Sequence, residues 1–243
     1  MVKLRLHQVL SKSGAFRTKD EVMKAIRNNE IKIRTEIINN PNYRVDTKET
    51  NVYYNEERLE PARKVYFLFN KPKRISCQKN EPKSIYNIIE KELKVDEATR
   101  RSCFTVGRLD VDSSGLIIIT NDGMLASKIS NPKNHIKKSY QVLLDRDISD
   151  WDLKRLDTGV TILLDDKDYR TRPAKAHKIG PKEVIITIKE GKKRQIRRMF
   201  GALGYTVKEL KRISIGKIKL EKLGLRQFKE IPKDEIYDKL FKD

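Results

Sequence analysis

The chain predicts an α+β fold in two parts, the second built on a largely antiparallel sheet flanked by helices. Three observations carry that expectation. Runs with the marks of strands outnumber those with helical spacing. Some of these runs are joined by short turns and others by helices. Between two patterned regions, Glu60-Pro61-Ala62-Arg63-Lys64 brings proline and charge with no apolar periodicity. That stretch reads as a linker at 61–64, between a small domain at 1–60 and a larger one at 65–243. At 243 residues the chain is long enough to bury a real core.

In the first region Leu6, Val9 and Leu10 form one face of a short helix that Ser13-Gly14 ends. Thr18 and Glu21 have the spacing of a capping box, opening a second helix whose apolar face is Val22, Ala25 and Ile26. Alternating segments around Ile31-Lys32-Ile33 and Val52-Tyr53-Tyr54 predict half-buried strands.

Beyond the linker, Val65 to Phe69 is a buried-strand run leading into Asn70-Lys71-Pro72, where proline ends it. Ile85, Ile88, Ile89 and Leu93 recur at helical spacing. Leu116 to Thr120 is β-branched and apolar, bounded by Gly115 and Asn121-Asp122-Gly123, which predicts a buried strand. Asp122 then caps a helix through Met124 and Ile129. Tyr140 to Leu144, Val160 to Leu164 and Val184 to Ile188 read as strands, with Leu153 and Leu156 on a helix between the first two. Ile196, Met199, Phe200 and Leu203 mark a helix whose apolar face meets the core.

Lys and Arg number 54 against 34 Asp and Glu, a formal net charge of +20 spread along the whole chain. That excess predicts a polyanionic partner. No helix-turn-helix or zinc-finger spacing points to DNA. No apolar run is long enough to cross a bilayer, and Met1 to Leu10 lacks the apolar segment of a signal peptide. Cys77 and Cys103 are too few for a disulfide scaffold or a cysteine-based zinc site, which suits the reducing cytoplasm. The expectation is a cytoplasmic monomer with no membrane, DNA, metal or cofactor partner.

Two polar constellations interrupt the core pattern. Val106-Gly107-Arg108-Leu109-Asp110-Val111-Asp112-Ser113-Ser114 is a loop with two carboxylates and an arginine, delivered to the mouth of the strand at Leu116. Loops fixed by rigid strands tend to carry sites, although aspartates in such loops are commonly turn formers. Glu190-Gly191-Lys192-Lys193-Arg194-Gln195-Ile196-Arg197-Arg198-Met199 follows a strand and opens a helix. Arg194, Arg197 and Arg198 cannot all lie far from its buried face, and a burial-adjacent arginine wants a carboxylate or phosphate. By pattern alone a solvated basic helix fits as well as a site does.

The string Gly-Arg-Leu-Asp-x-Asp-x-x-Gly-Leu-x-x-x-Thr-Asn-Asp-Gly, residues 107 to 123, resembles the signature of the RsuA-type pseudouridine synthases, which isomerise uridines in ribosomal RNA. Gly-x-x-x-Gln-Ile-Arg-Arg-Met, ending at Met199, resembles another signature of that family, as do Lys138-Ser139-Tyr140 and Leu210-Lys211-Arg212-Ile213-Ser214-Ile215-Gly216. The resemblance implies that Asp110 is catalytic, that Arg197 pairs with it, that Tyr140 lies against the target base and that Leu210 lines the pocket. By pattern alone Tyr140 and Leu210 are ordinary core residues of strands. Arg108, Lys138 and Arg194 are candidates for substrate contact, and Asp112 reads as a turn residue as readily as a functional one.

The first region, opening Arg-Leu-x-x-x-Leu, resembles the S4-type RNA-binding domain, with Lys12, Arg17, Lys19, Lys24 and Arg27 as phosphate contacts. Where many relatives carry Val-Asn-Gly, this chain has Ile33-Arg34-Thr35-Glu36. The function implied is conversion of uridine to pseudouridine in ribosomal RNA, with no cofactor. The competing class, a non-catalytic RNA-binding assembly factor on the same fold, gives no reason for Asp110, Tyr140, Arg197 and Leu210 to occur together.

Overall fold

A computed structural model describes residues 3–46 and 50–242 of the chain. It divides into two compact units, Met1–Val65 with Ile88–Phe104, and Tyr66–Asn87 with Thr105–Asp243.

In the first unit, helices Leu6–Ser13 and Lys19–Arg27 stand where the sequence placed them. Gly14 ends the first helix at a φ of 75°, the left-handed stop that suits glycine. A side chain there would fail twice, because an added Cβ would lie 2.0 Å from the Ala98 carbonyl oxygen. Thr18 caps the second helix, its hydroxyl accepting from the Glu21 backbone N–H at 3.1 Å. The reciprocal bond falls one residue early, with the Arg17 N–H donating to Glu21. Strands Ile31–Ile33, Glu36–Ile37, Val52–Tyr54 and Glu57–Arg58 form a small sheet. Arg34 and Thr35 make a two-residue turn in which Arg34 itself takes a φ of 56°, so the turn forms without the glycine of Val-Asn-Gly. Leu6, Leu10, Val22, Ile26, Ile31 and Val52 share one core.

Helix Glu97–Ser102 also belongs to this unit, and the sequence pattern did not show it. It is six residues of mostly polar chain, held at its start by the Asp96 carboxylate accepting from the Thr99 N–H. The preceding helix, Ile85–Glu92, buries Ile85, Ile88 and Ile89.

The second unit is organised by a nine-stranded sheet. Its main path runs Lys175–Lys178, Glu183–Ile188, Lys138–Leu144, Val207–Ile215, Ser114–Thr120, Tyr66–Lys71 and Phe228–Glu230. The neighbours along this path pair antiparallel except at one place, where Val207–Ile215 runs parallel to Ser114–Thr120. A largely antiparallel sheet is therefore what forms. All seven residues of Ser114–Thr120 are buried, as a strand covered on both faces requires. Leu116 and Ile118 join Tyr66 and Leu68 in a core closed by Leu125 and Ile129 of helix Gly123–Ser130 and by Ile236 and Leu240 of helix Lys233–Phe241. Strand Tyr66–Lys71 runs two residues beyond the apolar run, to the proline that stops it. In helix Gln195–Ala202, Ile196, Met199 and Phe200 are buried, while Leu203 is its half-buried cap.

Candidate active site

Strand Ser114–Thr120 is preceded by the loop 107–113, and the sheet fixes where that loop begins and ends. Gly115 has a φ of 105°, and an added Cβ would sit 2.3 Å from the Arg212 carbonyl oxygen and 2.6 Å from its nitrogen. Only glycine permits that approach, so Gly115 and Arg212 pair at the parallel junction with the backbones at their closest. The loop is stitched by three further bonds. The Ser113 N–H donates to the Asp110 carbonyl at 3.0 Å, the Arg74 N–H to the Val111 carbonyl at 2.7 Å, and the Lys71 ammonium to the Ser113 carbonyl at 2.8 Å. Leu109 is buried and turns its N–H toward the Cys77 sulfur.

This anchoring leaves Asp110 half-buried, and among the described residues nothing bonds to its carboxylate. Arg108 is exposed. Asp112 is the carboxylate that is held. Arg194 reaches it with both guanidinium nitrogens, at 3.4 and 3.3 Å. Arg197 reaches its carboxylate at 3.3 Å and its backbone carbonyl at 3.2 Å, while its other Nη donates to the Val207 carbonyl at 2.9 Å. The pairing of Arg197 with Asp110 implied by resemblance is not the one formed. The turn closed by Ser113 N–H and Asp110 carbonyl carries Asp112, two residues on, to the helix that bears Arg197. Arg198 goes elsewhere, to the Leu163 carbonyl.

Arg194 occupies a left-handed conformation, φ 51°, as the residue before helix Gln195–Ala202. Gln195 secures that turn, its side chain bonding Glu190 and accepting from the Lys192 N–H at 2.9 Å.

On the sheet beyond the parallel junction, Tyr140 lies directly opposite Arg212, and Val142 opposite Leu210. The two-residue alternation puts Tyr140, Leu210 and Arg212 on one face, where each is buried. Lys138 shares that face, half-buried, its ammonium 3.4 Å from the Ile136 carbonyl. The structure therefore gathers Asp110, Asp112, Tyr140, Arg194, Arg197, Leu210 and Lys138 onto adjoining elements of a single unit. Lys12, Arg17 and Lys19 are exposed on the other unit, with Arg17 in an ion pair with Glu97 at 3.7 Å.

Sequence reasoning missed Lys71 and Arg212. Lys71 is fully buried at the end of its strand and also donates to the Pro72 carbonyl. Arg212 is 3% exposed, its Nε donates to the Leu116 carbonyl at 2.6 Å, and its Nη2 has no partner among the described residues. Burial pushes Lys71 below the usual lysine range, and Arg212 adds to this; Cys77, Asp110 and Asp112 pull it back. Burial, then Arg212, lowers Lys138 as well. The available signal was a charged residue in register with apolar strand neighbours, Arg212 two places after Leu210. The arrangement is a half-buried carboxylate near the buried Lys71, with an aromatic ring, a leucine and a buried arginine on the adjoining sheet face.

Among the described residues no group of three or more His, Cys, Asp or Glu is placed to hold a metal. Among the same residues no helix is long and apolar enough to cross a membrane.

Residues 65–202 match the family model described as RNA pseudouridylate synthase. An uncharacterised RNA pseudouridine synthase of Aquifex aeolicus is 33% identical over 234 residues, covering 96% of this chain and 94% of that one. The ribosomal small subunit pseudouridine synthase A of Salmonella typhimurium is 32% identical, covering 87% of this chain and 89% of its own length. A solved structure described as a pseudouridylate synthase superposes with a TM-score of 0.69 at 30% identity, covering 98% of this chain and all of that one.

Proposed function

Since the chain belongs to the RNA pseudouridylate synthase family and isomerises uridine in RNA, we propose that its substrate is ribosomal RNA and that Asp110 carries the reaction. The observation that supports Asp110 is its carboxylate, which stands at the loop mouth with no partner among the described residues while its neighbour Asp112 is fully engaged. The small-subunit enzyme among the relatives supports ribosomal RNA.

Pseudouridine formation breaks the C–N glycosidic bond, turns the uracil and rejoins it to the ribose through carbon 5. No atom is gained or lost, so the chemistry needs acid–base and nucleophilic groups alone. A free, ionised carboxylate serves it either by attacking carbon or by accepting the ribose 2′-proton. Lys71, fully buried at the end of its strand, holds the loop through the Ser113 carbonyl. Tyr140 offers the ring face for the uracil, and its hydroxyl assists proton removal from carbon 5. Leu210 closes the apolar wall of the same face. Arg108 and Arg194, both exposed, and Lys138 take the flanking phosphates.

A uridine inside folded RNA must be extruded first, at a cost of a few kcal/mol that stacking and phosphate contacts offset. The exposed cations Lys12, Arg17 and Lys19 in the first unit, which resembles an S4-type domain, contribute contacts of that kind. The protein acts as a cytoplasmic monomer on ribosomal RNA or an assembly intermediate.

The test is pseudouridine mapping of small- and large-subunit ribosomal RNA from cells lacking the protein, with Asp110→Asn assayed for single-turnover conversion. One missing pseudouridine, restored by the wild-type chain but not by Asp110→Asn, is the expected result. An unchanged map rules out ribosomal RNA, and turnover by Asp110→Asn removes the role of Asp110. An RNA-binding factor without catalysis would convert no uridine in either form.

A further inference from the structure

Arg212 is a charged residue in a core position, and strand pairing alone does not account for it. Its backbone is held on both sides, beside Gly115 at the parallel junction and opposite Tyr140 on the other neighbouring strand. Its Nε donates to the Leu116 carbonyl at 2.6 Å, which ties the guanidinium to the same junction. The residue is 3% exposed, and the buried Nη2 has no partner among the described residues.

A clasp between two strands needs one donor, and the Nε bond supplies it. A methionine would fill the remaining space without burying a charge. The guanidinium stays ionised, and a buried donor left unmade is costly. An acceptor that arrives from outside the chain explains such a group. Tyr140 and Leu210 share the sheet face of Arg212, so that acceptor comes in beside the ring assigned to the uracil.

The isomerisation creates an acceptor of the right kind. When the C1′–N1 bond breaks, its electron pair leaves with the uracil and spreads over N1, O2 and O4. The anion turns and bonds C1′ through C5; the C5 proton is then lost and N1 gains one. Asp110 serves the sugar throughout, by attack at C1′ or by holding the 2′-proton, and ends as it began. No group assigned so far answers the charge on the base.

We propose that Arg212 is a catalytic residue, whose Nη2 donates to a uracil carbonyl oxygen and stabilises the detached base while it turns. This rests on the reading that seats the uracil against Tyr140. A donor fixed in a dry site before the charge forms needs no reorganisation when it does.

The experiment uses the full chain and ribosomal RNA carrying uridine or 5-fluorouridine at the position that the mapping identifies. Fluorine makes the departing uracil a more stable anion, which relies less on a donor. The readout is single-turnover loss of the N-glycosidic nucleoside after digestion. Arg212→Met is expected to slow uridine about a hundred- to a thousandfold, the cost of losing one such donor, and 5-fluorouridine about tenfold less than that. Arg212→Lys, which keeps the charge without the fork, falls between wild type and Arg212→Met. RNA affinity by filter binding stays near wild type.

Both rates come from one preparation, so their ratio does not depend on how much of it is folded. Where Arg212→Met fails to fold, Arg212→Lys carries the same comparison. Equal slowing of the two substrates would make Arg212 structural, and weaker RNA binding at an intact saturated rate would make it a phosphate contact. Either result overturns the proposal. Tyr140→Leu, which fills the space without the ring, separates the two readings. If it is slowed while the Arg212 variants match wild type, only the role of Arg212 falls. Wild-type conversion by Tyr140→Leu removes the uracil from this face, and the proposal goes with it.

Discussion

One nitrogen of Arg197 serves two atoms of Asp112, the backbone oxygen at 3.2 Å and the carboxylate at 3.3 Å. A lysine could satisfy the charge but not this geometry together with the bond to Val207, since a point charge lacks the planar fork.

Arg197→Met is therefore expected to slow single-turnover pseudouridine formation by about a hundredfold while leaving RNA affinity near wild type. Leaving the Val207 and Asp112 carbonyls without their donor costs about 1–3 kcal/mol of stability. Arg197→Lys recovers part of the rate. Urea denaturation beside a filter-binding assay checks both; weakened binding at an intact rate would make Arg197 an RNA contact.

Gly115→Ala tests the parallel junction. A methyl group there meets the Arg212 backbone at 2.3 Å, in a conformation that disfavours any side chain. Strain and overpacking together predict a loss on the order of 3 kcal/mol or more, with the loop 107–113 displaced and turnover lost with it. Gly191→Ala is the control, because an added Cβ at Gly191 meets nothing within 4 Å. Equal denaturation midpoints for the two variants would refute the constraint.

The alkaline limb of stability should carry the mark of Asp122. The Tyr66 and Tyr237 hydroxyls both donate to its Oδ2, at 3.0 and 3.2 Å. Burial first, then Asp122, pushes Tyr237 up to about 12 from an ordinary value of 10.0, and Tyr66 higher still. Both phenols are bound more tightly to their protons in the folded state, so their contribution is complete below pH 10 and is lost as pH rises toward 12. Tyr237→Phe should flatten the decline in stability over that window, and a wild-type slope would contradict this. Cys103, which burial pushes up to about 12 from 9.0, declines in parallel and is unaffected by the substitution.

Substituting Lys12, Arg17 and Lys19 together by alanine in the full chain should weaken RNA binding and flatten its salt dependence. The expected change is roughly 0.7 to 0.9 in log–log slope for each phosphate the protein no longer neutralises. An unchanged slope would dismiss these three as RNA-binding groups. Pocket chemistry, read as the single-turnover rate at saturation, should hold.

What the sequence made legible was local. The β-branched run at Leu116, the caps at Thr18 and Asp122, and the helical spacing of Ile196, Met199 and Phe200 each declare themselves within one element, and each formed as expected. Polar helix Glu97–Ser102 shows no apolar stripe, since tertiary packing and one capping carboxylate sustain it. The loop around Asp110 stood out as a candidate site, but the partner of Arg197 did not. That choice depends on a turn that swings Asp112 toward a helix some eighty residues on, and spacing carries no record of it. Lys71 and Arg212 were passed over for the opposite reason. Their positions follow the strand pattern of core residues, and only the assembled sheet reveals that a charge occupies each place.

The first unit borrows residues 88–104 from beyond the start of the second. A ribosome therefore releases the N-terminal sixty-five residues, with their whole Leu6-to-Val52 core, before the segment 88–104 that joins their unit, and the Ala98 backbone that Gly14 accommodates arrives only after strand Tyr66–Lys71 has been made. No single cut separates the two units, so grafting the first unit whole onto another body would have to carry the excursion with it. Exchange of this unit between proteins would then need two junctions rather than one.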